Sequence, residues 1–129
     1  MSDVNVKSSN VDRKSDNKYR AYKFSLDIIN FCASLPEKRV FWVIGDQLLR
    51  SGKSIGANII EAKASSSKKD FTRYYDIALK SANETKYWLC LLKDSKISGI
   101  NIGKLEILID EIDQICCMLG KSLITLKNK

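Results

Sequence analysis

Histidine is absent from this chain, proline occurs once, and no two cysteines stand in a CxxC pair. Each shortage excludes something. Without histidine the commonest proton-transfer side chain is missing, and none of the motifs that mark phosphate-cradling loops, nucleophile elbows or metalloprotease helices occurs, so the chain does not read as an enzyme. The four cysteines, Cys32, Cys90, Cys116 and Cys117, lack the close paired spacing of a zinc site. Each falls in or beside an apolar run, where a thiol acts as a small hydrophobe, so all four are expected in the core and no metal or cofactor is expected. No apolar run approaches the ~18 residues that span a bilayer. The opening stretch MSDVNVKSSNVDRKSDNK is polar throughout and has no secretory apolar segment, which leads to a cytoplasmic, non-membrane expectation.

What is present is helical periodicity. With 129 residues and 44% hydrophobic content the chain fits one domain with a single core. Apart from Met1, residues 1–17 have only valines as apolar content and are expected to form a disordered tail, leaving 18–129 as the domain. From Lys18, Tyr22, Leu26, Ile29 and Ala33 recur at helical spacing, with Phe24, Ile28 and Phe31 on a neighbouring stripe. Leu35-Pro36 ends this first helix. Helix two runs from about Arg39 to about Lys63 on Phe41, Ile44, Leu48, Ile55, Ile59 and Ala62. Gly45, Gly52 and Gly56 lie inside it, each costing about 1 kcal/mol relative to alanine, and close approach of a neighbouring helix is the expected compensation.

After Ala64-Ser65-Ser66-Ser67, the pair Ser67 and Asp70 resembles a capping box that opens helix three. Its seam is Phe71, Tyr75, Ala78, Ala82, Thr85, Leu89 and Leu92, and it runs to about Lys93. Tyr74, Ile77, Tyr87, Trp88 and Leu91 widen the apolar surface beyond the ~100° that one core needs, so these five are assigned to a subunit interface. Asn101 can cap helix four, whose stripe is Leu105, Leu108, Ile112, Ile115, Leu119 and Leu126. Four helices with short connections predict an all-α, antiparallel up-down four-helix bundle.

The formal charge is +7, and the excess is local. Between Lys38 and Lys80 nine basic residues face four acidic ones, so +5 of the +7 lies in that stretch. Lys68, Lys69 and Arg73 open helix three, where unsatisfied backbone N–H groups favour anions, and Arg50, Lys53 and Lys63 could extend the patch along a nucleic-acid backbone. A solvated lysine-rich surface is the plain alternative. Asn58, Glu61 and Glu84 interrupt apolar patterns and are read as a structural polar network, bonding across the hairpin to Arg50 or Lys53 and setting register.

The stretch LLRSGKSIGANIIEAKASSSKKDFTRYYDIALKSANETKYWLCLL resembles the four helix bundle proteins encoded in intervening sequences of bacterial 23S rRNA genes. The resemblance covers about Tyr19 to Leu126 and is most specific over Ser54-Ile55-Gly56-Ala57-Asn58-Ile59-Ile60-Glu61 and Ser67-Lys68-Lys69-Asp70-Phe71. Many members carry proline where this chain has Gly56 and glycine where it has Ala64. The resemblance implies a homopentamer with a central channel. It also implies a likeness to the accessory protein of diversity-generating retroelements, which binds nucleic acid and a reverse transcriptase. The leading expectation is therefore a homo-oligomeric RNA- or DNA-binding module. The alternative is a protein-interaction scaffold that recruits a nucleic-acid enzyme.

Overall fold

A computed structural model describes residues 16–128. The expected tail at 1–17 lies outside the described residues apart from Asp16 and Asn17, and these two belong to the first helix. The Asp16 side chain accepts from the Lys18 N–H at 2.9 Å, which starts the helix one residue earlier than expected. The elements are α1 (Asn17–Ala33), α2 (Arg39–Ala64), α3 (Lys68–Ser95) and α4 (Ile102–Lys127). Consecutive helices pack side by side and α1 closes against α4, while the backbones of the diagonal pairs stay apart. This is the expected up-down bundle.

Local chemistry starts and stops each helix. Ser67 accepts from the Asp70 N–H at 3.1 Å and Asn101 from the Lys104 N–H at 3.1 Å, so both expected caps form. α3 ends on Lys96, whose φ of 56° is left-handed. In the next turn Gly99 has φ 102°, and a Cβ there would lie 2.7 Å from Pro36 Cγ. Only glycine lets the α3–α4 turn sit on the α1–α2 turn at that end of the bundle.

The glycines of α2 meet α1, as expected. A Cβ at Gly52 would lie 3.2 Å from Ile28 Cγ2, and one at Gly56 would lie 3.5 Å from Ala21 Cβ. Approach is close enough for Ser25 Oγ to donate to the Gly52 carbonyl at 3.4 Å and for Cys32 Sγ to reach the Gly45 carbonyl at 3.8 Å. Donors and carbonyls step by one heptad in opposite directions, the signature of an antiparallel pair.

The α1 core face needs correction. Phe24, Ile28, Phe31 and Ala21 are buried, whereas Leu26 and Ile29 are exposed and Tyr22 is half-buried. Both stripes have helical spacing, and the side facing the α2 glycines decides between them. The cysteines also depart from expectation, because Cys32, Cys90 and Cys116 are half-buried and Cys117 is exposed. They flank the core rather than fill it. Burial still pushes the Cys32 thiol up to about 11.

Candidate nucleic-acid interface

The hairpin from α2 to α3 places the expected cations unequally. α2 and α4 end, and α1 and α3 begin, at one end of the bundle. Lys63, Lys68, Lys69 and Arg73 are all exposed there. α4 adds Lys127, whose ammonium lies 3.1 Å from Asp76. Lys68, Lys69, Thr72, Arg73 and Asp76 line a shallow, open depression of about 420 Å³. Arg50 and Lys53 are exposed as well, but lie roughly 15–20 Å up α2 from Lys63 at 1.5 Å per residue. They do not join this group.

Lys127, Thr72 and Asp76 were missed in the sequence. The signal was available for Lys127: an antiparallel partner of similar length must end where α3 begins.

Arg73 has two neighbours. Its guanidinium carbon lies 4.5 Å from the Tyr74 ring centroid, and its Nη2 lies 3.7 Å from Asp70 Oδ1. Beneath, Phe71 stacks on the buried Tyr75 with centroids 4.8 Å apart, and Asn17 of α1 donates to the Tyr75 hydroxyl at 3.4 Å. Thr72 Oγ1 donates to the Lys68 carbonyl at 2.9 Å. α1, α3 and α4 thus brace the end that carries the cations.

The expected polar network forms only in part. Asn58 donates to the Ser54 carbonyl at 2.8 Å and to Ser54 Oγ at 3.0 Å. Ser54 and Ser81 hydroxyls pair at 2.9 Å, and so do Ser51 and Thr85, which is fully buried. Glu61 and Glu84 are exposed instead. Glu84 accepts from Trp88 Nε1 on its own helix at 3.0 Å, and Arg50 pairs with Asp46 at 3.1 Å rather than with a carboxylate across the hairpin. Short hydroxyls fit between closely packed helices without burying charge, whereas a carboxylate there would need a full set of donors. Register on this seam is set by hydroxyls.

Of the five side chains assigned to a subunit interface, Tyr74 and Trp88 pack half-buried against the chain's own core, and Ile77 is half-buried. Tyr87 and Leu91 remain exposed. More exposed apolar surface lies where it was not expected, on Leu26 and Ile29 of α1 and on Val40, Val43 and the 66% exposed Trp42 of α2.

The α3–α4 seam is lined with ion pairs, Lys86 to Asp113 at 2.6 Å and Lys93 to Glu106 at 3.6 Å. Asp113 holds Lys86 above its ordinary range. Across the thinner α1–α4 seam, Arg20 meets Glu111 with Nε at 3.1 Å and Nη2 at 2.8 Å.

The family model described as 23S rRNA-intervening sequence protein matches residues 13–121. This chain belongs to that family. The chain is also similar to a crystal structure of a protein of unknown function of the S23 ribosomal protein family from Bacteroides thetaiotaomicron. The two share 36% identity and a TM-score of 0.76, over 84% of this chain and 98% of that one. No curated protein matches the sequence. Among the described residues of this family member no helix is long and apolar enough to cross a membrane.

Proposed function

We propose that this chain is a homo-oligomeric nucleic-acid-binding module, probed best at the end of the bundle where α3 begins, and that it is not an enzyme. The observation that carries the reading is that Lys63 of α2, Lys68, Lys69 and Arg73 of α3 and Lys127 of α4 are exposed at one end of the bundle, with Lys68, Lys69 and Arg73 lining a shallow depression on α3 and Lys127 paired to Asp76 beside them. A single exposed cation is screened within about 10 Å at ordinary ionic strength, so binding requires a polyanion that meets several together. Asp70 and Asp76 lie inside the group and temper it, which favours repeated display by several copies over tight binding by one. The exposed apolar side chains on α1, α2 and α3 supply surface for that association, and the pentamer implied by the family resemblance is the expected state.

Neutralising about four phosphates predicts an affinity that falls roughly 50- to 150-fold between 50 and 200 mM salt. Replacing Lys68, Lys69 and Arg73 together by alanine abolishes most of that binding and flattens the salt slope, whereas replacing Arg50 and Lys53 does so to a lesser degree. Unchanged affinity in the triple variant overturns the site. A single folded copy in sedimentation at micromolar concentration overturns the assembly.

The exposure of Trp42, Leu26 and Ile29 favours a second reading, a scaffold that holds a nucleic-acid enzyme such as a reverse transcriptase. A protein partner retained after nuclease treatment, and lost in Trp42→Ser, supports it.

A further inference from the structure

The cationic end carries one group that lysines do not supply. Arg73 is planar, its guanidinium lies 4.5 Å from the Tyr74 ring centroid, and its side chain is 54% exposed. The Tyr74 ring lies on one side of the guanidinium and Asp70 lies 3.7 Å from Nη2, and about half of the side chain is left open to solvent. It borders the depression whose rim is Lys68 and Lys69. A phosphate held at that rim leaves the adjoining base within reach of the Arg73 plane.

We infer that the ligand of this end is single-stranded nucleic acid whose unpaired base stacks on the Arg73–Tyr74 pair, with the flanking phosphates on Lys68 and Lys69. The inference rests on the phosphate-binding reading above and adds the class of strand. In a duplex the base faces are already stacked and only groove edges are open. Reading them takes a helix or ribbon that enters a groove, whereas the cations here line a shallow depression on the first turns of α3. A duplex therefore offers this surface its phosphates alone, while a single strand offers phosphates and base faces together. Thr72 already gives its hydroxyl proton to the Lys68 carbonyl and Asp76 already accepts from Lys127, so neither has a proton to offer a base edge, and the Arg73 guanidinium is the planar group of the depression that a base face can meet.

The test is fluorescence anisotropy of the full chain at 150 mM salt with four probes of equal length: oligodeoxyadenylate, oligoadenylate, an abasic deoxyribose-phosphate strand and a duplex. The expected result is that base-bearing single strands bind about tenfold more tightly than the abasic strand, and more tightly than the duplex. The ribose and deoxyribose arms decide whether RNA or DNA is preferred. Arg73→Lys keeps the charge and removes the plane, so it brings base-bearing and abasic strands to equal affinity with an unchanged salt slope. Equal affinity of the two in the native protein, or tighter duplex binding, overturns the stacking inference and leaves the phosphate reading standing. Absence of binding to all four probes at low salt overturns both.

Discussion

Replacing Gly52 by alanine sets two known effects against each other. Inside a helix the exchange gains about 1 kcal/mol. The added methyl would sit 3.2 Å from Ile28 Cγ2 and 3.4 Å from Cγ1, so one side must yield by a few tenths of an ångström. Ile28 is 1% exposed and β-branched, and a helix leaves it essentially one χ1 rotamer, so it has no cheap way to move. Overpacking of this kind costs about 1–3 kcal/mol. The expected net result is a loss of about 1 kcal/mol, or a fall in melting temperature of about 3–5 °C for a domain of this size.

Gly120 is the internal control. A Cβ there has nothing within 4 Å, so Gly120→Ala realises the helix-propensity gain alone and stabilises by about 1 kcal/mol. Urea unfolding followed by circular dichroism, at one fixed protein concentration because association shifts apparent stability, separates the two variants. If Gly52→Ala stabilises as much as Gly120→Ala, the α1–α2 crossing is not closed by that glycine and the account of the α2 glycines fails.

Thr85→Val removes a fully buried hydroxyl from the Ser51 and Ser81 contacts and is expected to cost about 1–2 kcal/mol. A double-mutant cycle with Ser51→Ala that shows no coupling would contradict the hydroxyl register. Arg20→Ala opens the bidentate contact with Glu111 on the α1–α4 seam and is expected to cost about 1 kcal/mol. Faster hydrogen exchange should follow in α1 before α2, and uniform exchange would refute that order. Alkylation at pH 8 should modify exposed Cys117 first and Cys32 last, since burial keeps the Cys32 thiol protonated up to about pH 11. The same shift makes the unfolded chain lose that proton first, so stability is unaffected below about pH 9 and falls as pH rises towards 11. A pH-independent stability across that window would refute the burial of Cys32.

Ser67, Asn101, Pro36 and the repeat from Phe71 to Leu92 were legible in the chain because caps, breakers and periodicity act over a few residues, and they determined the four helices by themselves. The close approach at Gly52 was legible for the same reason, since a helix tolerates such a residue only where something compensates. Other choices had no local answer. Phe24 or Leu26, Glu84 or Ser81, and Trp88 or Trp42 fit the helix equally well, and which one faces a neighbour depends on how the helices rotate about their axes. The gathering of Lys127 with Lys68, Lys69 and Arg73, and its separation from Arg50, likewise follows from helix lengths and antiparallel packing. Sequence determined which segments are helices, and tertiary structure decided which faces meet, because burial is a property of two surfaces and periodicity is a property of one.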